Sequence, residues 1–316
     1  DGTATVANSD YNSAAGTLTF PAKSTEPQTV TIVVNGDTKK ESDETFFVNL
    51  TNPTNATIGD GQGVGTILND DTTPQLDIQA TASVMEGNSG TTNVTLTATL
   101  SNTTDQTVTV NYATHDGTAK ASNNDYVAVT GVLTIPPKTL SGTITVTVNG
   151  DVTEEGNETF TVVLTNPANA TLGNATATVT ILNDDNVPAL AINDVTHQEG
   201  NTGGATTYTF TVSLSNPTDQ PVSVHYQTAD GTATEANFDY VPASGTLTIP
   251  AKASAGTIDV AVIGDLTRES NETFFVNLSS PVNATIADAQ GVGTILNDDL
   301  FPTLSIDDVS RGEGNS

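Results

Sequence analysis

Thr-Ile-Leu-Asn-Asp-Asp at residues 66–71 returns at 180–185 and again at 294–299, 114 residues apart each time. No other feature restricts the fold as much. A period of that length is a whole domain, because about 110 residues can bury roughly two-thirds of the surface their unfolded chain exposes. The chain is therefore an array of domains and not a solenoid of small units. Its 316 residues divide into the back part of a unit at 1–72, complete units at 73–186 and 187–300, and the start of a further repeat at 301–316. Asp1-Gly2-Thr3-Ala4 matches Asp116-Gly117-Thr118-Ala119 and Asp230-Gly231-Thr232-Ala233, which lie in mid-unit, so the sequence reads as a slice of a longer array. Two residues and a proline (Pro74, Pro188, Pro302) follow each Asn-Asp-Asp. Such short connections predict successive domains placed end to end.

Within a unit the apolar residues alternate. Val108, Val110 and Tyr112 do so, then Ile144, Val146 and Val148, then Phe160, Val162 and Leu164. Thr fills many intervening positions, as a β-branched residue suits an exposed strand face. No window has a helical period. Seven strands are expected in the second unit, at about 75–85, 91–101, 107–115, 130–136, 141–149, 158–166 and 175–183. Unit 1–72 should keep the last four of its seven. The reading is all-β: tandem immunoglobulin-like, seven-stranded antiparallel β-sandwiches. Cys and Trp are both absent, so the buried Cys–Trp–Cys core of antibody domains is missing and the likeness is architectural.

Charge narrows the function. Thirty-seven acidic residues face eight basic ones, a net charge of −29. Nucleic acid and anionic membranes carry the same sign and are excluded as partners. No stretch approaches the roughly 20 apolar residues of a membrane span. Without cysteine there is no disulfide, thiolate or cysteine–zinc site.

The acids are not spread evenly. In a sandwich of successive antiparallel strands, the odd-numbered strands all finish at one pole. In the second unit Glu86, Asp116, Asp151, Glu155, Glu158, Asp184 and Asp185 all follow odd-numbered strands. The turns after even-numbered strands carry one acid, Asp105. The third unit repeats the set with Glu199, Asp230, Asp265, Glu269, Glu272, Asp298 and Asp299, and the first keeps Asp1, Asp37, Glu41, Glu44, Asp70 and Asp71. Carboxylates gathered this way repel, and some must stay protonated unless a cation intervenes. Calcium fits best. It takes six to eight oxygen ligands in irregular geometry, so seven carboxylates could hold about two to four ions. Magnesium prefers a tight octahedron with its water, and zinc would want His or Cys. Asp125 and Asp239, each before a tyrosine, read as turn caps. A glycosidase would use one acid pair beside a sugar platform, whereas here the pattern recurs in every unit with few aromatics. No enzyme is expected. His115, His197 and His225 do not recur at equivalent positions and carry no role.

The ordered motifs Glu-Gly-Asn, Asp-Gly-Thr-Ala, Asn-Asp-Tyr, Gly-Asp-x-x-x-Glu-x-x-Glu-Thr-Phe and Ile-Leu-Asn-Asp-Asp resemble the Calx-beta domain over essentially the whole chain. The resemblance implies calcium ligands at the same loops, carried by the residues named above. It also implies a setting either in the regulatory loop of sodium–calcium exchangers or in surface proteins. The pattern departs from the exchanger type at Gly36, Gly150 and Gly264, and at Asn69, Asn183 and Asn297, where exchangers carry aspartate. Fewer ions or weaker binding are expected. Lys39 and Lys40 crowd the first cluster and Arg268 flanks the third, so the second unit should bind best. Tandem copies favour a calcium-stiffened spacer or adhesion module of a large extracellular or cell-surface protein. Its partners would be calcium, the neighbouring domains and a surface protein or glycan. A calcium-sensing module attached to a membrane transporter or signalling protein is the alternative.

Overall fold

The computed structural model describes residues 1–201 and 204–314. Residues 315 and 316 of the stretch read as a further repeat lie outside them. By packing, the chain forms two compact units. One comprises Asp1–Glu86, Thr91–Asn149 and Asn157–Leu182, and the other Gly87–Gly90, Gly150–Gly156 and Asn183–Ser316. Among the described residues all regular structure is β, apart from two short 3-10 turns at Ala121–Asn123 and Glu235–Asn237.

The stretch 1–72 contributes two strands, β1 (Glu44–Asn49) and β2 (Gln62–Ile67), paired antiparallel. The second repeat contributes β3 (Gln75–Ile78), β4 (Thr81–Met85), β5 (Gly90–Leu100), β6 (Val108–Asp116), β7 (Thr130–Ile135), β8 (Ser141–Gly150), β9 (Glu158–Ala168), β10 (Thr171–Leu172) and β11 (Thr176–Leu182). They form a four-stranded sheet, β10-β3-β5-β8, and a five-stranded sheet, β4-β11-β9-β6-β7. The third repeat has the same plan with β12 (Ala189–Ile192), β13 (Val195–Gln198), β14 (Ala205–Leu214), β15 (Val222–Asp230), β16 (Ser244–Ile249), β17 (Ala255–Ile263), β18 (Glu272–Val282), β19 (Thr285–Ile286) and β20 (Gln290–Leu296). Alternation decides which side is core. In β8, Ile144, Val146 and Val148 are buried while the threonines between them point outward. Phe160 stacks on Tyr126 with ring centroids 4.2 Å apart, and Phe274 on Tyr240 at 4.8 Å. Burying a ring of that size stabilises by about 1.5–3 kcal/mol.

Two expectations need correction. The first expected strand, about 75–85, is broken at Gln79-Ala80. Gln79 N–H donates to Thr97 in the first sheet (2.9 Å), and the Ala80 carbonyl accepts from Thr178 in the second (2.9 Å). The chain thus changes sheets there, and β4 pairs parallel with β11. The second correction concerns 1–72, where the first two of the four expected strands are not formed among the described residues. The reason is partnership. In the second repeat β7 pairs with β6, and β8 belongs to the sheet of β5. No strand among the described residues of 1–72 takes the place of β5 or β6, so Phe20, Val30 and Val33 stay exposed.

Candidate metal centre

The third repeat shows how the chain builds its acidic pole. Glu199 follows β13, Asp230 ends β15, Asp265 and Glu269 lie between β17 and β18, Glu272 opens β18, and Asp298 and Asp299 follow β20. The pairing of β13 with β20, and of β20 with β18, brings these strand ends together.

Two groups result. Carboxylate oxygens of Glu199, Asp265 and Asp299 lie within 4.8 Å of one another, as do those of Asp239, Glu269 and Glu272. The second group recurs as Asp10, Glu41 and Glu44 in the first repeat. Glu199 is only 6% exposed. Burial, then the charges of Asp299, Glu269, Asp265 and Asp298, push its carboxyl up to about 7. Glu272 also reaches about 7, through burial, the charges of Asp239 and Glu269, and a hydrogen bond with Asp239. Glu269 and Asp299 are raised for the same reasons, burial first and the neighbouring carboxylates next. Oδ2 of Asp185 and of Asp299, and Oδ1 of Asp298, are buried with no hydrogen-bond partner. A buried, unpaired carboxylate oxygen costs free energy that a bound cation would recover. These oxygens fit a hard, oxygen-seeking ion.

The Asp-Gly-Thr-Ala aspartates sit differently. Oδ1 of Asp230 accepts from the Tyr240 hydroxyl (2.7 Å) and from Glu235 N–H (3.0 Å), which hold its carboxyl below the usual range. Oδ1 of Asp116 likewise accepts from Tyr126 (2.6 Å) and Ala121 (3.1 Å), and Oδ1 of Asp1 accepts from Tyr11 (2.7 Å) and Val6 (3.2 Å). None of the three joins the carboxylate groups above. Their place is taken by the aspartate before the tyrosine, read from sequence as a turn cap. It is a cap and more. Oδ2 of Asp239 accepts from Thr234 N–H (2.7 Å) while the carboxylate also faces Glu269 and Glu272. The glycine of the same motif is needed for close approach, since a Cβ on Gly231 would stand 2.3 Å from the Thr273 carbonyl oxygen.

Asn-Asp-Asp also resolves residue by residue. The Asn297 Oδ1 accepts from Glu269 N–H (2.7 Å), and its Nδ2 donates to the Asp299 carbonyl (3.2 Å). Asn69 repeats both bonds with Glu41 (2.8 Å) and Asp71 (2.9 Å), as Asn183 does with Glu155 (3.3 Å) and Asp185 (3.1 Å). The asparagine is a brace between the acidic loop and the last strand, and an aspartate there could not donate the second bond. Asp184 accepts from Gly87 N–H (3.0 Å) and Asp185 from Asn88 Nδ2 (2.7 Å). Asp37, Asp151 and Asp265 each accept from the N–H two residues on. Asp70 and Glu86 follow β2 and β4, and Glu86 is 7% exposed.

A family model described as the Calx-beta domain matches residues 1–73, 69–185 and 190–299. Sodium/calcium exchanger 1 of Canis lupus familiaris is 31% identical over 195 residues, covering 55% of this chain and 20% of the exchanger. Adhesion G-protein coupled receptor V1 of Danio rerio is 32% identical over 149 residues, covering 44% of this chain and 2% of the receptor. The chain thus spans at most about a fifth of the length of these relatives. The crystal structure of CBD12 from CALX1.2 aligns with a TM-score of 0.34 at 25% identity, covering 68% of this chain and 83% of that one.

Proposed function

Because the chain belongs to the Calx-beta family, we propose that it is a calcium-responsive regulatory array within a larger protein. The observation that carries this reading is the pair of carboxylate groups in the third repeat, with buried oxygens that nothing else satisfies. Glu199, Asp265 and Asp299 would hold one calcium ion, and Asp239, Glu269 and Glu272 a second, with Asp298 beside them. Calcium supplies the positive charge that lets all of these acids ionise together. The protein's part is to hold the loops, through the Asn297 brace and the Asp230–Tyr240 bond, so that little ordering remains to be done when the ion arrives. The reading assigns binding and not catalysis.

Sensing is preferred to a purely mechanical role because the relatives include sodium/calcium exchangers. A sensor needs a change in state between metal-free and metal-loaded forms, and carboxyls held near 7 without the ion provide one. A calcium-stiffened spacer or adhesion module on a cell surface is the second reading, supported by the similarity to an adhesion receptor. No helix among the described residues is long and apolar enough to cross a membrane. Calorimetric titration of the intact chain tests the shared premise. Saturable binding that Glu269→Gln and Glu272→Gln weaken is expected, and absence of any calcium heat or affinity would end both readings.

A further inference from the structure

Asn-Gly occurs twice in the sequence, at Asn35-Gly36 and Asn149-Gly150, each time just before an aspartate of the acidic loop. Both asparagines make the same pair of bonds. Asn35 N–H donates to the Asp10 carbonyl (3.0 Å) and its Nδ2 to the Ser9 carbonyl (2.7 Å). Asn149 N–H donates to the Asp125 carbonyl (3.1 Å) and its Nδ2 to the Asn124 carbonyl (2.7 Å). Ser9 and Asn124 both adopt a left-handed backbone, with φ of 68° and 73°. Each asparagine is thus a clip that ties this turn to the chain entering the acidic loop. The third repeat has Ile263 at the same place. Its N–H keeps the bond to the Asp239 carbonyl (3.0 Å), but an isoleucine side chain has no donor for the second. The fold therefore forms without the side-chain half of the clip.

The two Asn-Gly pairs differ in how their backbone is held. Asn149 is half-buried and lies inside β8. Asn35 is exposed and outside any strand, next to the isolated bridge between Tyr11 and Val34. Gly36 is exposed as well, and a Cβ built on it would meet nothing within 4 Å. Asparagine before glycine is prone to cyclise, because glycine leaves the following backbone nitrogen unshielded and lets the chain bend. A regular strand must open before it can bend that way, whereas an exposed irregular segment need not.

We infer that Asn35-Gly36 is a self-modification site, at which the first repeat converts its own asparagine to an acid and releases the turn at Ser9-Asp10. The Gly36 backbone nitrogen attacks Asn35 Cγ. A C–N bond forms, the N–H proton passes through water to the departing amide nitrogen, and ammonia leaves. The product is a five-membered succinimide. Water then adds to one of its two carbonyl carbons and breaks that carbon's bond to the ring nitrogen, giving aspartate or isoaspartate. Water is the one co-reactant. Either product has lost Nδ2, so the side chain has nothing to donate to the Ser9 carbonyl, and a carboxylate sets acceptor against acceptor. Isoaspartate also adds a methylene to the main chain and alters its path into Asp37. The turn that carries Asp10 then loses one of its two ties to Asn35. With Ile263 in place of the asparagine, the third repeat does not age in this way.

The experiment is to age the intact chain at mildly alkaline pH and follow it by peptide mass mapping. The tryptic peptide Ser24–Lys39 holds Asn35 as its one asparagine. It should show the mass change of an amide turned acid, divided between aspartate and isoaspartate. Asn149, followed with a second protease, should convert at least about tenfold more slowly, because its strand must open first. Gly36→Ala has room for its Cβ and should nearly abolish conversion of Asn35 while leaving the fold intact. Asn35→Asp should mimic the product, with faster hydrogen exchange at the Asp10 amide and no change at the Asp239 amide, its counterpart in the third repeat. Conversion of Asn35 no faster than that of Asn149, or a rate that Gly36→Ala leaves unchanged, would overturn the site. Unaltered exchange at Asp10 in Asn35→Asp would overturn the release of the turn.

Discussion

Two aspartates nine residues apart in each repeat have different duties. Asp230 is bound by a tyrosine hydroxyl and an N–H, whereas Asp239 faces two glutamates. Asp230→Asn should therefore cost some stability, since it weakens the hydrogen bonds from Tyr240 and Glu235, and leave calcium affinity nearly intact. Asp239→Asn should weaken calcium binding and, by relieving repulsion, not lower the melting temperature of the calcium-free chain. Paired melting and titration curves of the two variants separate these duties. Protonation makes a second prediction at this scale. Glu199 and Glu272 hold their protons to about pH 7 in the folded calcium-free chain, against an ordinary glutamate value of 4.5. The folded state binds more protons between those values. Its stability from these groups is complete below about 4.5 and is lost as pH climbs to about 7. In chelator, this contribution should make the melting temperature fall from pH 5 to pH 7.5. In calcium the trend should reverse, because the ion needs the deprotonated carboxylates. A melting series in the two buffers checks the sign.

Among the elements, the loop between β17 and β18 matters most, and Asn297 ties it to the end of β20. Asn297→Ala removes both bonds. It should cost about 1–2 kcal/mol of stability and weaken calcium binding about tenfold, with faster hydrogen exchange at the Glu269 amide as the local signature. Asn297→Asp adds charge but loses the donor, so a tighter calcium site in a looser loop is expected from the same measurements. This element also shows what a sequence reveals. Strands came through to within one or two residues, as at Ser141–Gly150 and Glu158–Ala168, because alternation and β-branching are local signals. The sheet switch at Gln79-Ala80 was hidden, since its cause is a pair of bonds to Thr97 and Thr178, far away in sequence. Spacing put the acids at one pole. It could not tell Asp230 from Asp239, because that choice depends on which carboxylate the Tyr240 hydroxyl captures. Equally, the asparagine of Asn-Asp-Asp looked like a lost ligand until its two hydrogen bonds showed it to be a brace.

For the whole molecule, folding and calcium binding are expected to be linked. A chain with a net charge of −29 has placed many of its acids where they repel, and their raised carboxyls are the visible strain. An ion that binds only the folded form adds RT ln(1 + [L]/Kd), about 2.7 kcal/mol per site at a hundredfold excess over Kd. Several sites should act together, so the gain in the intact chain should exceed that of any one repeat. The most direct measurement is differential scanning calorimetry of the intact chain at pH 7.5, in excess chelator and in millimolar calcium. A clearly higher melting temperature is expected with calcium, the rise being reduced in Glu269→Gln, Glu272→Gln and Asp239→Asn but retained in Asp230→Asn. Superimposed curves with and without calcium would contradict it.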